Sequence, residues 1–426
     1  LKQLFRNKHR KVLVLAPFLF LGFMILQFKG TPTKIPEATF PAPVVVDSAL
    51  IQLKYDLQAF RSLFEQGITD CRCPGAALVI VKDTSIVFVE GFGTRNVRNN
   101  DPVDEHTVFR LGSLSKGFAA VTAGMLVEQG YFDWDDKVKN FYPEFKLKSQ
   151  EQTERIEIRH ILSHTTGLIR HAYTNLIEEG WSIDKIAAIL NEVDLVSEEG
   201  KTFAYQNATY SLIEKVIGES TGKEYQEILE NEVFRKCGMT DASCTYEGMK
   251  ETYDKSMPHA LVSRNYVYNN TRITRKYYNS ISSGGVNASA YDMGQWLKVL
   301  LGNRPDIIRN ETLSHIFQPV IKTHERRFYD SWKETSGSWY AMGWRILAFH
   351  NRQIAYHGGY VNGYRSEIAL DRENGIGICV LFNASCDYAK WTIRDFFNFY
   401  DTQIAAPGKM LIAGKESATL PSSNGT

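Results

Sequence analysis

The sequence predicts a mixed α/β (α+β) fold in which one antiparallel sheet is built from both terminal parts of the chain, with helices on it and a large helical lobe inserted. Three observations predict this. Ala76 to Val81 and Ile86 to Phe92 are apolar runs joined by Lys-Asp-Thr-Ser, the pattern of a β-hairpin. From Phe109 onward apolar residues recur mostly at helical spacing. Short apolar or alternating runs then return at Trp344 to Phe349, Gln353 to Tyr356, Tyr364 to Leu370 and Gly375 to Leu381.

Composition agrees with a large folded body. With 426 residues the chain exceeds the ~250–300 at which one core stops growing, so two lobes are expected. Hydrophobic residues make up 43% and charged residues 23%, which excludes global disorder and a polytopic membrane protein. Lys plus Arg number 49 against 48 Asp plus Glu, a balance that gives no basis for a nucleic-acid partner.

The elements follow in chain order. Lys2, Arg6, Lys8, Arg10 and Lys11 precede Val12 to Leu26, a run without ionisable side chains that Lys29 closes. A basic flank before an apolar run is an export signal, so residues 1–30 read as a signal anchor spanning about 12–28, or as a cleaved signal peptide. The expected location is the bacterial inner membrane, single-pass with a periplasmic body, or a secreted or periplasmic form after cleavage. Residues 31–46 are Pro- and Thr-rich and read as a spacer. The main domain is placed at 47–402, with a sheet lobe at about 47–108 and 336–402 and a helical lobe at about 109–335. Residues 403–426, rich in Gly, Ser and Pro, read as a flexible tail.

Within the domain, Leu50, Leu53, Leu57, Phe60 and Phe64 mark an amphipathic helix. Further helices are expected at Ser113 to Gln129, Ile183 to Asn191, Thr209 to Ile217, Tyr225 to Val233, Ser289 to Leu301 and Tyr388 to Tyr400. Ser289 with Asp292 three residues on should cap its helix. Residues 262–278, carrying Arg264, Arg272, Arg275 and Lys276 among Tyr and Asn, read as a surface loop near the cleft.

Of the six cysteines, Cys71 and Cys73 alternate in a strand-like stretch and would bridge with strain, while Cys237 and Cys244 make the better pair. Their spacing with His supplies no zinc site, and no Gly-rich phosphate loop is present, so neither metal nor cofactor is expected. Asn-x-Ser/Thr sequons begin at Asn207, Asn269, Asn287, Asn310, Asn383 and Asn424. A glycan on Asn207 would fill the proposed cleft, so either the protein is bacterial and unglycosylated or the fold shields that site.

Three short motifs carry chemistry. In Ser113-Leu114-Ser115-Lys116 the Ser113 hydroxyl and the Lys116 amine share a helix face, and a helix start favours negative charge developing beside the serine. A buried amine can lose its proton and act as a base. Taken alone, the pattern is weak and better fits a capping serine followed by a solvated lysine. In Tyr205-Gln206-Asn207 the phenol could relay a proton and the amide could hold a substrate carbonyl or the lysine, though an interior Tyr with a capping Asn fits too. In His357-Gly358-Gly359-Tyr360 two glycines let a ligand backbone approach a strand, and an exposed N–H there could pair with that of Ser113 as an oxyanion hole. An ordinary Gly-rich hairpin is the alternative.

Together these parts resemble the serine β-lactamase and penicillin-binding-protein superfamily, in its class C β-lactamase-related branch of DD-carboxypeptidases, D-aminopeptidases and esterases. Further segments carry the likeness: Phe109-Arg110-Leu111-Gly112 before Ser113, Ile161 to Leu168 (ILSHTTGL), Ser283-Gly284-Gly285 and Met342-Gly343-Trp344, over roughly 50–400. The resemblance implies a β-lactamase/transpeptidase-like fold, with Ser113 acylated, Lys116 activating it and Tyr205 relaying the proton. It further implies Asn207, His357, Gly358, Gly359 and Tyr360 as substrate contacts, the last through its N–H. His164 resembles a structural turn residue, and Trp344 a core residue. Class C enzymes usually carry Lys where His357 stands, so a peptidase or esterase is expected ahead of a dedicated β-lactamase. The expected function is an exported serine hydrolase acting through an acyl-enzyme on amides or esters, such as D-amino-acid peptides of the cell wall. The alternatives are a carboxylesterase or weak β-lactamase of the same family, and a non-catalytic penicillin-binding-type sensor. The expected partners are a peptide or small-molecule ester or amide substrate and the inner membrane, with no nucleic acid.

Overall fold

The computed structural model describes residues 48–263, 267–323 and 328–405. The N-terminal apolar run, the spacer, the tail beyond 405 and the Asn424 sequon lie outside the described residues. Among the described residues no helix is long and apolar enough to cross a membrane.

The strands in chain order are β1 Gly75–Lys82, β2 Ser85–Asn96, β3 Asp101–Pro102, β4 Phe109–Arg110, β5 His259–Ser263, β6 Val267–Asn270, β7 Asn287–Ala288, β8 Ile321–Lys322, β9 Thr335–Tyr340, β10 Arg345–Phe349, β11 Arg352–Val361, β12 Tyr364–Asp371 and β13 Ile376–Phe382. Nine of them form one antiparallel sheet in the order β3-β2-β1-β13-β12-β11-β10-β9-β8. The two ends of the domain meet where β1 pairs with β13, Ala76 opposite Phe382 through Lys82 opposite Ile376.

That junction is central because β1 is apolar on both faces. Ala76, Leu78 and Ile80 face one core while Ala77, Val79 and Val81 face the other, the two-residue period of a strand buried on both sides. On the first face the Ser48–Asp70 helix lays down Leu53, Leu57, Phe60 and Phe64 beside the closing Thr392–Phe399 helix. Phe60 meets Phe396 edge-on at 5.2 Å, and Phe64 meets Phe92 at 5.0 Å. On the second face sit the Ser115–Glu128 helix and the Ala290–Leu300 helix, joined by Phe118 stacked on Trp296 at 4.2 Å. Ser289 and Asp292 form the expected capping box.

Several expectations are corrected. The expected helical lobe at about 109–335 also carries strand: β5 and β6 form a hairpin, and β8 joins the sheet ahead of the expected boundary at about 336. Within 262–278, expected as a surface loop near the cleft, Ser263 ends β5 and Val267–Asn270 form β6, while the stretch after Asn270 is loop and turn and brings Tyr277 to the cleft. Its later part is tied down by Arg110, whose buried guanidinium donates to the carbonyl of Thr274 at 3.0 Å and to that of Lys276, with Tyr278 stacked 4.2 Å away. The Thr209–Ile217 helix breaks at Ser211 into Asn207–Tyr210 and Leu212–Thr221, and Tyr225–Val233 passes into a π-helical turn at Leu229–Phe234. β11 runs beyond Tyr356 through both glycines.

All six cysteines are free thiols, so the Cys237–Cys244 pairing is not formed. Cys244 points its thiol at Glu230, 3.6 Å away. Cys71 and Cys73 sit in the turn after the first helix, not in a strand, and both pack toward Cys386. The sequon residues Asn207, Asn287 and Asn383 are buried, so the fold shields them.

Because Phe64 is fully buried among Phe92, Phe382 and Tyr388, Phe64→Ala should cost about 3–5 kcal/mol of unfolding free energy by chemical denaturation. A loss below about 1 kcal/mol would contradict the docking of the first helix on the sheet.

Candidate active site

The chain enters the site along β4, which pairs with β7, and the Leu111 N–H reaches the carbonyl of Val286 at 2.9 Å. Gly112 then turns with φ +54°, the left-handed region, and leads through a single 3₁₀ turn, Gly112–Leu114, into the Ser115–Glu128 helix. A Cβ at Gly112 would lie 2.9 Å from the Tyr360 nitrogen, so only glycine lets this turn rest against β11. The constraint is reciprocal, since a Cβ at Gly359 would lie 2.0 Å from the Leu111 carbonyl oxygen. These contacts press the Gly112 turn against β11 at Tyr360, just ahead of the amino end of the Ser115–Glu128 helix.

The two serines of the motif separate cleanly. Ser115 is fully buried, its hydroxyl donating to the Gly112 carbonyl at 2.7 Å and accepting the Val286 N–H at 3.0 Å. Ser113 lines a cleft of about 510 Å³ together with Tyr205, Asn207, His357, Gly358 and Tyr360. Every site residue expected from sequence except Lys116 and Gly359 reaches this cleft; those two stand directly behind it.

Lys116 has no exposed surface. Its Nζ donates to Asn207 Oδ1 at 2.7 Å and to the Ser283 carbonyl at 2.9 Å, and lies 4.8 Å from the Tyr205 ring centre. Among the described residues no carboxylate pairs with it. Burial, then the charge of Arg345, push its pKa well below the ordinary lysine value. A neutral amine has two N–H donors and one lone pair. With both donors committed to oxygens, the lone pair is the one hydrogen-bonding position such an amine would have left.

Tyr205 is held from behind. The Ile158–Leu162 helix ends in a turn where His164 has φ +59°, and its ring stacks 4.3 Å from that of Tyr205. His164 Nδ1 accepts the Gln206 N–H at 3.2 Å, and its carbonyl accepts the Ala204 N–H at 2.9 Å. Burial keeps the imidazole neutral, its pKa well below the ordinary value. Gly343, with φ +74°, carries the Met342–Trp344 turn against the Lys116 carbonyl, where a Cβ would lie at 2.8 Å. Trp344 is buried against Phe317, a core residue.

His357 is buried on β11. Its Nδ1 lies 2.9 Å from the Gly358 carbonyl, which can only accept, so Nδ1 carries the proton and Nε2 accepts from the Tyr340 hydroxyl at 3.2 Å. Burial, then Arg345 and Lys116, hold its pKa well below the ordinary histidine value. The imidazole is therefore a neutral wall group. β10 pairs with β11 only as far as Arg345 opposite Tyr356, so from His357 onward that edge of β11 carries no strand.

One functional candidate escaped the sequence reading. Arg345 lines the cleft with its guanidinium between 5.4 and 5.8 Å from the rings of Phe203, Tyr205, Tyr329 and Tyr340. It is 7% exposed, its Nη1 is buried without a hydrogen-bond partner, and among the described residues no carboxylate pairs with it. The one signal was a cation opening the otherwise apolar run Arg345-Ile346-Leu347-Ala348-Phe349.

Comparison with known proteins places this geometry. The chain is 24% identical over 338 residues to Protein flp of Staphylococcus aureus (strain N315), covering 78% of this chain and 64% of that one. It thus spans less than two thirds of the length of that relative. Among solved structures it resembles an octameric penicillin-binding protein homologue from Pyrococcus abyssi, at TM-score 0.69, 24% identity, and 80% and 78% of the two chains. It also resembles a D-stereospecific amidohydrolase from Streptomyces sp., at TM-score 0.63, 18% identity, and 77% and 96% of the two chains. The Beta-lactamase family model matches residues 60–393, and the chain belongs to that family.

Proposed function

We propose that the protein is an exported serine hydrolase that transfers the acyl group of an amide or ester, carrying a nearby anionic group, onto Ser113 and then to water. The observation that carries this reading is Lys116, fully buried, bonded to two neutral oxygens and, among the described residues, to no carboxylate that would hold it charged. In the first step Ser113 Oγ attacks the carbonyl carbon while its proton passes to Lys116 Nζ. The N–H groups of Ser113 and Tyr360 receive the oxyanion. The leaving amine or alcohol takes up the proton through Lys116 and Tyr205, and a water then reverses the sequence to free the acid. The unpaired edge of β11 offers a peptide backbone a strand to lie along, with Asn207 and His357 as flanking contacts.

Arg345 supports an anionic substrate group, such as the carboxylate of a D-amino-acid peptide. A guanidinium in this position is permanently charged, and a carboxylate is its natural bidentate partner. Export is supported by the basic flank and apolar run at the amino terminus.

Intact-mass labelling with a β-lactam, a phosphonate or a p-nitrophenyl ester, followed by peptide mapping, tests the nucleophile. The adduct should map to Ser113 and vanish in Ser113→Ala at unchanged melting temperature; an adduct on Ser115, or none with wild-type protein, would overturn the reading. For the anion site, Arg345→Met should lower kcat/KM roughly 10–150-fold on a substrate with a free carboxylate, the worth of about 1.5–3 kcal/mol for a charged hydrogen bond. A matched neutral ester, compared on the high-pH plateau where the lost Arg345 charge no longer alters the protonation of Lys116, should change little. Equal losses on both substrates would remove Arg345 from recognition. Gly359→Ala should abolish acylation by forcing β11 off the Leu111 carbonyl, and an active variant would show that the close approach is dispensable.

A further inference from the structure

Behind the cleft, Glu214 stands on the Leu212–Thr221 helix without lining the cleft and without a hydrogen bond to Lys116. Its Oε1 accepts two bonds from one residue, the Ser282 N–H at 2.8 Å and the Ser282 hydroxyl at 2.6 Å. The nearest cation in sequence, Lys215, is turned outward to Asp184 at 2.7 Å. Burial pushes the carboxyl up to about 7. Its two bonds to Ser282 show what it holds.

Ser282 belongs to the four-residue turn Ile281–Gly284, too short to hold its own shape and followed by Gly285. The next residue, Ser283, presents the carbonyl that receives Lys116 Nζ at 2.9 Å. The other acceptor of that amine, Asn207, opens the helix leading to Glu214, and Ser211 between them donates to the Asn207 carbonyl at 3.0 Å. Ser211 also bonds Ser280, which bonds Ser283 through its hydroxyl. Both acceptors of the lysine are thus joined behind the cleft, by a run of serine hydroxyls and by the Glu214 carboxyl.

We propose that Glu214 is a positioning residue: by clamping Ser282 it fixes the Ser283 carbonyl, and through it the direction in which the Lys116 lone pair points. This rests on Lys116 as the base that activates Ser113. Releasing the turn frees one N–H of the amine, the lone pair swings, and proton transfer from Ser113 slows while substrate binding, which involves other residues, does not.

The test is single-turnover acylation of the full chain by a p-nitrophenyl ester, followed by mass. Wild type must first acylate at Ser113; a wild type that does not label would refute the function proposed above and not the clamp. Given that, Glu214→Ala should slow the acylation step about tenfold or more, with the concentration dependence of the encounter unchanged within about threefold. Glu214→Gln should restore the rate to within about threefold, because its amide oxygen accepts both Ser282 donors. A Glu214→Ala rate within about twofold of wild type, or a Glu214→Gln rate as slow as that of Glu214→Ala, would overturn the proposal. Should Glu214→Ala not fold, Ser282→Ala carries the decision: about threefold slowing or more supports the clamp, and an unchanged rate contradicts it.

Discussion

The site depends on one constraint: an amine placed where its charge cannot be solvated. Lys116 sits on the second-face core beside aromatic rings and two neutral oxygens, with the Arg345 charge nearby and no carboxylate bonded to it. Burial and the Arg345 charge raise the cost of the ammonium form, the two oxygens and the rings offset only part of it, and the pKa falls well below the ordinary lysine value, as the proposed function requires of a base. A surface lysine at the same spacing from Ser113 would stay charged and could not serve. The chemistry is thus set less by the Ser-x-x-Lys motif than by what surrounds it.

Surrounding it requires the whole architecture. The nine-stranded sheet closes β1 of one chain end against β13 of the other, and β11 comes to lie over the Gly112 turn. The close approach at Gly112 and Gly359 seats the Ser113 turn against β11, while Gly343 lets a third segment close over the back of Lys116. His164 and Tyr340 do not face the reacting atoms; they stack around Tyr205 and His357 and keep both walls fixed. The same packing leaves Arg345 a stranded cation in the cleft, which a bound anion would neutralise.

Much of this was legible in the sequence where the physics is local. The spacing of Leu53, Leu57, Phe60 and Phe64, the alternation in β1 and the Ser289–Asp292 capping pair each act within a few residues. β9 was missed because Thr335-Ser336-Gly337-Ser338 lacks apolar alternation, and β11 was cut short because two glycines look like a loop until another backbone is seen against them. The partners of Lys116 are 91 and 167 residues distant in sequence, and that separation carries no periodic signal. The cysteines repeat the lesson, since short spacing suggested Cys237 with Cys244 while the fold gathers Cys71 and Cys73 at Cys386.

The protonation state of Lys116 is open to direct observation. Heteronuclear NMR of protein carrying labelled lysine, with the Lys116 resonance assigned from Lys116→Arg, follows its Cε and Nζ through a pH titration. The account predicts a resonance that titrates well below the ordinary lysine value of 10.5, turning neutral while the surface lysines remain charged. A Lys116 that stays an ammonium alongside them until it titrates near 10.5 would contradict it.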